Sequence, residues 1–268
     1  MNKLYPLFFL LLLFSCNDKK PETKFENEII PNPEEVLRKY VVNPKNDDRI
    51  CKEDIARAKK DMEKYRNIYV TTSCFGCKSL IYEDEISEYA SKIKFKVINY
   101  DYSCVKMEGQ TQGCYKAFIN LEMEKIHGKN FRKKIEKEAE KLLIEKIKND
   151  NKVLNIYDLN ENEKPHFVKE DNLIKEGYIP TIKTGLSLKH ERDSYPFMDI
   201  SFIIEKNGRI SNLKNKNWVS GFKENEKHKS ELENIAKKTI LAYYNHWKPG
   251  RYVGVIARVE NTFRVTFE

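Results

Sequence analysis

The sequence lacks any apolar run long enough to cross a bilayer. Its longest, Leu7 to Phe14, has eight residues, whereas a membrane-spanning helix needs about 20. It also lacks a phosphate-binding glycine loop, a nucleophile elbow and a zinc-protease helix signature, so no motif supports hydrolysis or group transfer. The five histidines (127, 166, 190, 228 and 246) are scattered without ligand spacing. The net charge of +8 is spread through mixed Lys/Glu sequence, with no single basic tract. That distribution gives no footing for nucleic-acid binding and suits anionic headgroups as neighbours instead. Proline is absent between Pro44 and Pro165, as expected of a compact, helix-rich unit there. No metal or cofactor is implied anywhere.

What is present begins at the N-terminus. Lys3 supplies a positive start, Leu7 to Phe14 an apolar stretch, and Leu13-Phe14-Ser15-Cys16 places a small residue before a cysteine. This is the layout of a lipoprotein signal peptide over residues 1–15, with Cys16 as the acylated residue. Two or three acyl chains hold a protein on a bilayer far better than one. The expected location is therefore the cell envelope, lipid-anchored and periplasmic or surface-facing. Residues 16–48, with Pro21, Pro31, Pro33 and Pro44 among polar residues, read as a flexible tether with a helical turn or two. Fully stretched, it reaches on the order of 100 Å.

Residues 49–150 read as a helix-rich α/β unit. Helical periodicity covers 54–65, 80–93 and 131–149, with strands over 67–72 and 95–100. Cys74-Phe75-Gly76-Cys77 follows the first strand. Five cysteines remain besides Cys16: Cys51, Cys74, Cys77, Cys104 and Cys114. Outside the cytoplasm they are expected to oxidise. One possibility is structural bridges: Cys104 to Cys114 across a short loop, with Cys74 and Cys77 bonded to each other or one of them to Cys51. The other is a redox pair, Cys74 attacking and Cys77 resolving, favoured by a strand–CxxC–helix–strand order in which a helix N-terminus lowers the thiol pKa. That order is similar to the first half of a thioredoxin-like fold, although Ser73 replaces an aromatic residue and no proline follows at the usual distance. A four-cysteine zinc site fits the spacing poorly. The polar segment 149–164 reads as a hinge.

The C-terminal region carries the strongest pattern. Met198 to Asn212 (MDISFIIEKNGRISN) is a hairpin signature around Asn207-Gly208, a dipeptide suited to positive φ at both positions. Ser230 to Asn245 has a helical apolar stripe. Trp247-Lys248-Pro249-Gly250 ends that helix, and Thr262 to Phe267 alternates as a strand with Phe263, Val265 and Phe267 inward and Arg264 and Thr266 outward. Together with Glu163-Lys164-Pro165-His166-Phe167, these residues resemble the TonB C-terminal domain over about 155–268. The resemblance implies an α+β fold of two domains: the helix-rich middle unit, then a small antiparallel sheet packed with helix. It also implies a binding module that takes a partner's extended segment as an added strand. The expected edge is Phe263, Arg264, Val265, Thr266 and Phe267, contacting through backbone. The implied partner is an outer-membrane or periplasmic protein, for instance an extended peptide of a receptor. The chain has no motor-coupled inner-membrane helix, so scaffolding is expected rather than force transmission. Binding ranks above catalysis, with a lipid-anchored thiol–disulfide oxidoreductase using Cys74 and Cys77 as the alternative.

Overall fold

Helix α1 (Pro33–Tyr40) lies within the stretch 16–48 expected as a tether with a helical turn or two. Asn32 caps it by accepting from the Glu34 amide at 3.0 Å, and Pro33 sits at its first position, where a missing N–H costs nothing. The computed structural model describes residues 32–73, 80–103, 105, 107–168, 179, 181–192 and 194–268. Over these the fold is mixed α+β, and no helix is long and apolar enough to cross a membrane.

The middle region runs α2 (Arg49–Lys64), β1 (Ile68–Ser73), α3 (Glu83–Lys92), β2 (Lys96–Asp101), α4 (Cys114–His127) and α5 (Phe131–Lys148). Strands β1 and β2 pair in parallel, Ile68 opposite Lys96 through Ser73 opposite Asp101. Parallel pairing needs a crossover, and α3 supplies it. Ile68, Tyr69 and Val70 are fully buried against Ile119 and Met123 of α4 and Ile135 and Ala139 of α5. Two buried carboxylates tie the helix ends. Asp48 caps α2 through the Cys51 amide (3.1 Å) and also accepts from the Thr111 amide and the Tyr40 hydroxyl. Burial works against its charge, but the hydrogen bonds from Thr111, Tyr40 and Cys51 outweigh that and hold its pKa below the usual carboxylate range. Asp54 accepts from the Tyr100 hydroxyl (2.6 Å) and from the Tyr115 amide in the first turn of α4 (3.2 Å).

These ties bring the starts of α2 and α4 together, and Cys51 bonds to Cys114 there with Cα atoms 5.2 Å apart. The expected Cys104–Cys114 bridge is therefore corrected. Cys114 lies in the first turn of α4, fully buried against Cys51, so its partner comes from 63 residues away rather than from the adjoining loop.

The C-terminal sheet has the order β3-β10-β5-β6, from β3 (Val153–Asn155), β5 (Phe197–Ile204), β6 (Ile210–Val219) and β10 (Arg258–Thr266). Small pairs β4 (His166–Phe167) with β7 (Trp247–Lys248), and β8 (Arg251–Tyr252) with β9 (Val255–Ile256), stand beside it. Helix α6 (Lys229–Tyr243) covers one face. Leu232, Ala236 and Ile240 of α6 pack on Met198, Ile200, Phe202, Phe263, Val265 and Phe267, and all of these are fully buried. The expected inward set of the last strand is thus observed. The sheet is not purely antiparallel, because β3 runs parallel to β10.

The hairpin turn also differs from expectation. Only Gly208 has positive φ (+78°), and Asn207 does not. The Gly208 amide donates to the Glu205 carbonyl and the Glu205 amide to the Arg209 carbonyl, while the Asn207 side chain accepts from the Arg209 amide. The Asn207 side chain thereby closes a longer loop than a two-residue turn. A Cβ on Gly208 would stand 2.1 Å from the Trp247 carbonyl oxygen, so glycine is required on two counts.

The segment 149–164 is packed rather than bare. Leu154 and Leu159 are buried with Leu143 and Ile147 of α5 and with Tyr252, Ala257 and Val259, a cluster shared by both regions. The Lys206 ammonium donates to the carbonyls of Ile147 and Lys148 at the end of α5. This cations-on-carbonyls contact suits the helix dipole. Lys146 and Lys152 converge on buried Glu85 of α3, at 2.9 and 3.3 Å.

Candidate functional site

The expected binding edge is occupied. One side of β10 pairs with β5 from Val259 opposite Ile204 to Thr266 opposite Phe197. Its other side takes β3 at Arg258 to Glu260. Further along, the Ile179, Ile182 and Thr184 amides donate to the carbonyls of Arg264, Thr266 and Glu268. Residues 263–267 therefore lie in an interior strand. Arg264 is held by Asp199 at 2.8 and 3.0 Å, and that hydrogen bond is the main reason the Asp199 carboxyl titrates below its ordinary range. The correction follows from chain segments more than 80 residues upstream, whose pairing no local pattern announces.

The longer of the two edge strands is β6; the other, β3, has three residues. Among the described residues, no strand pairs with the outer side of β6. A groove of about 480 Å3 runs along it, bounded by α6. From β6 it is lined by Lys214, Asn215, Lys216 and Trp218, and from α6 by Lys229, Glu233 and Lys237. The α6 residues recur at i, i+4 and i+8, one stripe of a helix facing the strand. Lys237 pairs with Glu233 at 2.5 Å. That hydrogen bond first, aided by Asn215 and Lys229, holds the Glu233 pKa down. Lys216 reaches Glu260 on the sheet at 3.2 Å. The groove remains basic, with four lysines against one glutamate. The Asn215 side-chain oxygen is buried without a hydrogen-bond partner. Register shifts between Asp199 and Ile200, and again before Ile203, interrupt the β5–β6 ladder.

The loop after β6 is organised by side-chain hydrogen bonds. The Trp218 indole donates to Glu226 at 3.1 Å. Buried Asn225 donates to the Lys189 and Ser220 carbonyls and accepts from the Lys189 amide.

A second polar site stands at the C-terminal end of the parallel pair, where ligands bind in open α/β sheets. Ser73 and Asp101 lie opposite each other in register and are hydrogen-bonded. Asn99 donates to Ser73 at 2.9 Å and accepts from Thr71 at 3.3 Å. Cys74 directly follows Ser73 in sequence, but Cys16, Cys74, Cys77 and Cys104 lie outside the described residues. Helix α3 starts at Glu83, six positions after Cys77, rather than at residue 80. Among the described residues, no cluster of three or more His, Cys, Asp or Glu could hold a metal ion.

Reasoning from sequence placed the open edge at residues 263–267, which lie in an interior strand, and did not single out the groove residues Lys214, Lys216, Lys229 and Lys237. The alternation of Lys214 and Lys216 within an Asn-rich strand, and the Lys229–Glu233–Lys237 spacing, were the available signals. No protein-family model, curated protein or solved structure matches this chain.

Proposed function

We propose that the chain is a lipid-anchored envelope protein whose C-terminal sheet binds an extended segment of a periplasmic or outer-membrane partner by strand addition. The observation that carries this reading is the open β6 edge beside the groove against α6. Main-chain pairing along an edge supplies affinity, and flanking side chains select sequence. An extended segment alternates its side chains between faces, so it meets lysines from β6 and from α6. Like charge on that edge opposes pairing with a second copy of itself. The same charge favours a segment carrying Asp or Glu.

The test uses fluorescent decapeptides of alternating Thr and Glu, alternating Thr and Lys, and the Thr/Glu peptide N-methylated at every second amide. The Thr/Glu peptide is expected to bind, and Lys214→Glu with Lys216→Glu to weaken it by about tenfold or more. Loss of binding on N-methylation supports backbone pairing. Equal binding of the methylated peptide removes strand addition, and equal binding of the Thr/Lys peptide removes the acidic preference.

A second reading, a thiol–disulfide oxidoreductase using Cys74 and Cys77, draws support from the β1–α3–β2 parallel order and from the polar cluster at its end. A reduction potential for that pair below about −300 mV would mark a structural staple instead.

A further inference from the structure

A different surface lies where the tether joins the folded chain. The turn after α1 closes one end of a cleft between α2 and α4 that holds about 430 Å3. Its floor is apolar, built from Ile55 of α2 and from Phe118 and Leu121 of α4. At its lip, Val41 turns inward and is 2% exposed, while Val42 projects outward at 71%. Ile126, one helical turn beyond the cleft-lining Glu122, is also 55% exposed. The rim is cationic: Lys52, Lys59 and Lys125 line it, with Glu122 the acid among the lining residues. The Lys59 ammonium stands 5.7 Å over the Phe118 ring, and Lys52 is drawn to the Asn46 carbonyl at 2.9 Å. Lys125 pairs with Glu122 at 2.5 Å.

We propose that this cleft receives an acyl chain of an anionic phospholipid while the three lysines hold its phosphate headgroup. The middle region would then rest on the bilayer surface. Two observations favour a lipid over other occupants. An apolar floor beneath a lysine rim matches the two zones of a bilayer interface, and basic residues there are attracted to anionic lipid. The sixteen Cα–Cα steps from Cys16 to Asn32 span at most about 58 Å, so an acylated Cys16 keeps the cleft near the membrane. The proposal borrows only this proximity from the anchored reading. Its test uses a chain that carries no acyl group.

Full-length mature protein with Cys16→Ser is mixed with phosphatidylcholine vesicles, with or without one-third phosphatidylglycerol, and sedimented. Binding is expected only with phosphatidylglycerol. Lys52→Gln, Lys59→Gln and Lys125→Gln together should weaken it by about 100-fold at low salt. Val42→Asp should weaken it as well. The control triple Lys214→Gln, Lys216→Gln and Lys237→Gln, on the β6 groove, should leave binding within about twofold, and far-ultraviolet circular dichroism checks that each variant is folded. Equal loss in both triples means diffuse surface charge and overturns the proposal, as does absence of binding to either vesicle. Inorganic phosphate at millimolar concentration should not displace the vesicles. If it does, the site is a phosphate site, not a lipid site. Failure here leaves the peptide experiment on β6 untouched.

Discussion

Tyr69 on β1 and Phe263 on β10 are both fully buried on strands, yet their surroundings differ in kind. The Tyr69 hydroxyl donates to Glu136 at 2.7 Å and accepts from Arg132 at 3.0 Å. Burial, only partly offset by the Arg132 charge, raises its pKa far above the ordinary phenol. Phe263 instead meets the rings of Phe202, Tyr244 and Trp247 at 5.0 to 5.9 Å. Among the described residues, the middle region has two strands and the C-terminal sheet has four. A two-stranded sheet offers little apolar face, so the helices around it are joined by buried carboxylates and by the Cys51–Cys114 disulfide. A four-stranded sheet with a helix across it can close around side chains alone. The practical lesson is that the middle region should respond to pH and reductant, and the C-terminal region to cavities.

Replacing Cys51 and Cys114 together with Ser is expected to cost the most. The bond closes a 63-residue separation, for which the loop-entropy relation gives about 4 kcal/mol. Urea unfolding measures the loss. Hydrogen exchange at Val70 and at Ile200 shows whether it stays in the middle region, as the contrast requires, or spreads through the shared cluster around Leu154. Phe263→Ala should cost about 3 kcal/mol, toward the low side for a buried Phe because three neighbouring rings can close on the void. Its exchange pattern should be the reverse, with Ile200 losing protection first. If both variants unprotect both amides equally, the two regions unfold as one.

Glu85→Gln tests the joint between them. Glu85 is fully buried and bridges Lys146 and Lys152, so neutralising it removes the shared carboxylate and leaves Lys146 with Glu88 and Lys152 with Asp84. A loss of about 2 kcal/mol is expected, visible as a lower urea midpoint. An unchanged midpoint would mean that solvent replaces the carboxylate at no cost. Smallest is Asp48→Asn, about 1 kcal/mol at neutral pH, since Asn still caps a helix. Its sharper signature is in pH. A carboxylate whose folded pKa lies below its unfolded value stabilises the fold above that unfolded value, near 4, and loses the contribution as pH falls through the folded one. The wild-type chain should therefore lose stability below about pH 4, and the variant should lose less over the same range.

Much of the C-terminal half was legible beforehand. The apolar stripe through Leu232, Ala236 and Ile240 reads directly as α6, and the alternation of Phe263, Val265 and Phe267 reads as a strand with its inward face assigned. Such periodicities are local, set by 3.6 and 2 residues per repeat. The place of that strand in its sheet was not legible. It depends on Val153–Asn155 and on Ile179, Ile182 and Thr184 arriving along its other side. Composition also misled at 149–164, where Leu154 and Leu159 stand among many polar residues yet both are buried. Disulfide connectivity resisted for a related reason: spacing offers Cys104 as the near partner of Cys114, whereas Asp48 and Asp54 draw the distant Cys51 into place.

Residue order alone therefore establishes which segments become helix or strand, which faces turn inward, and that Gly208 must sit in a turn, because these follow from backbone sterics and periodicity over a few residues. Pairing across long separations decides which strand keeps a free edge, which cysteines meet and which lysines line a common groove. Those outcomes depend on loop closure and on the burial of polar groups from separate segments, and no stretch of a few residues contains both partners.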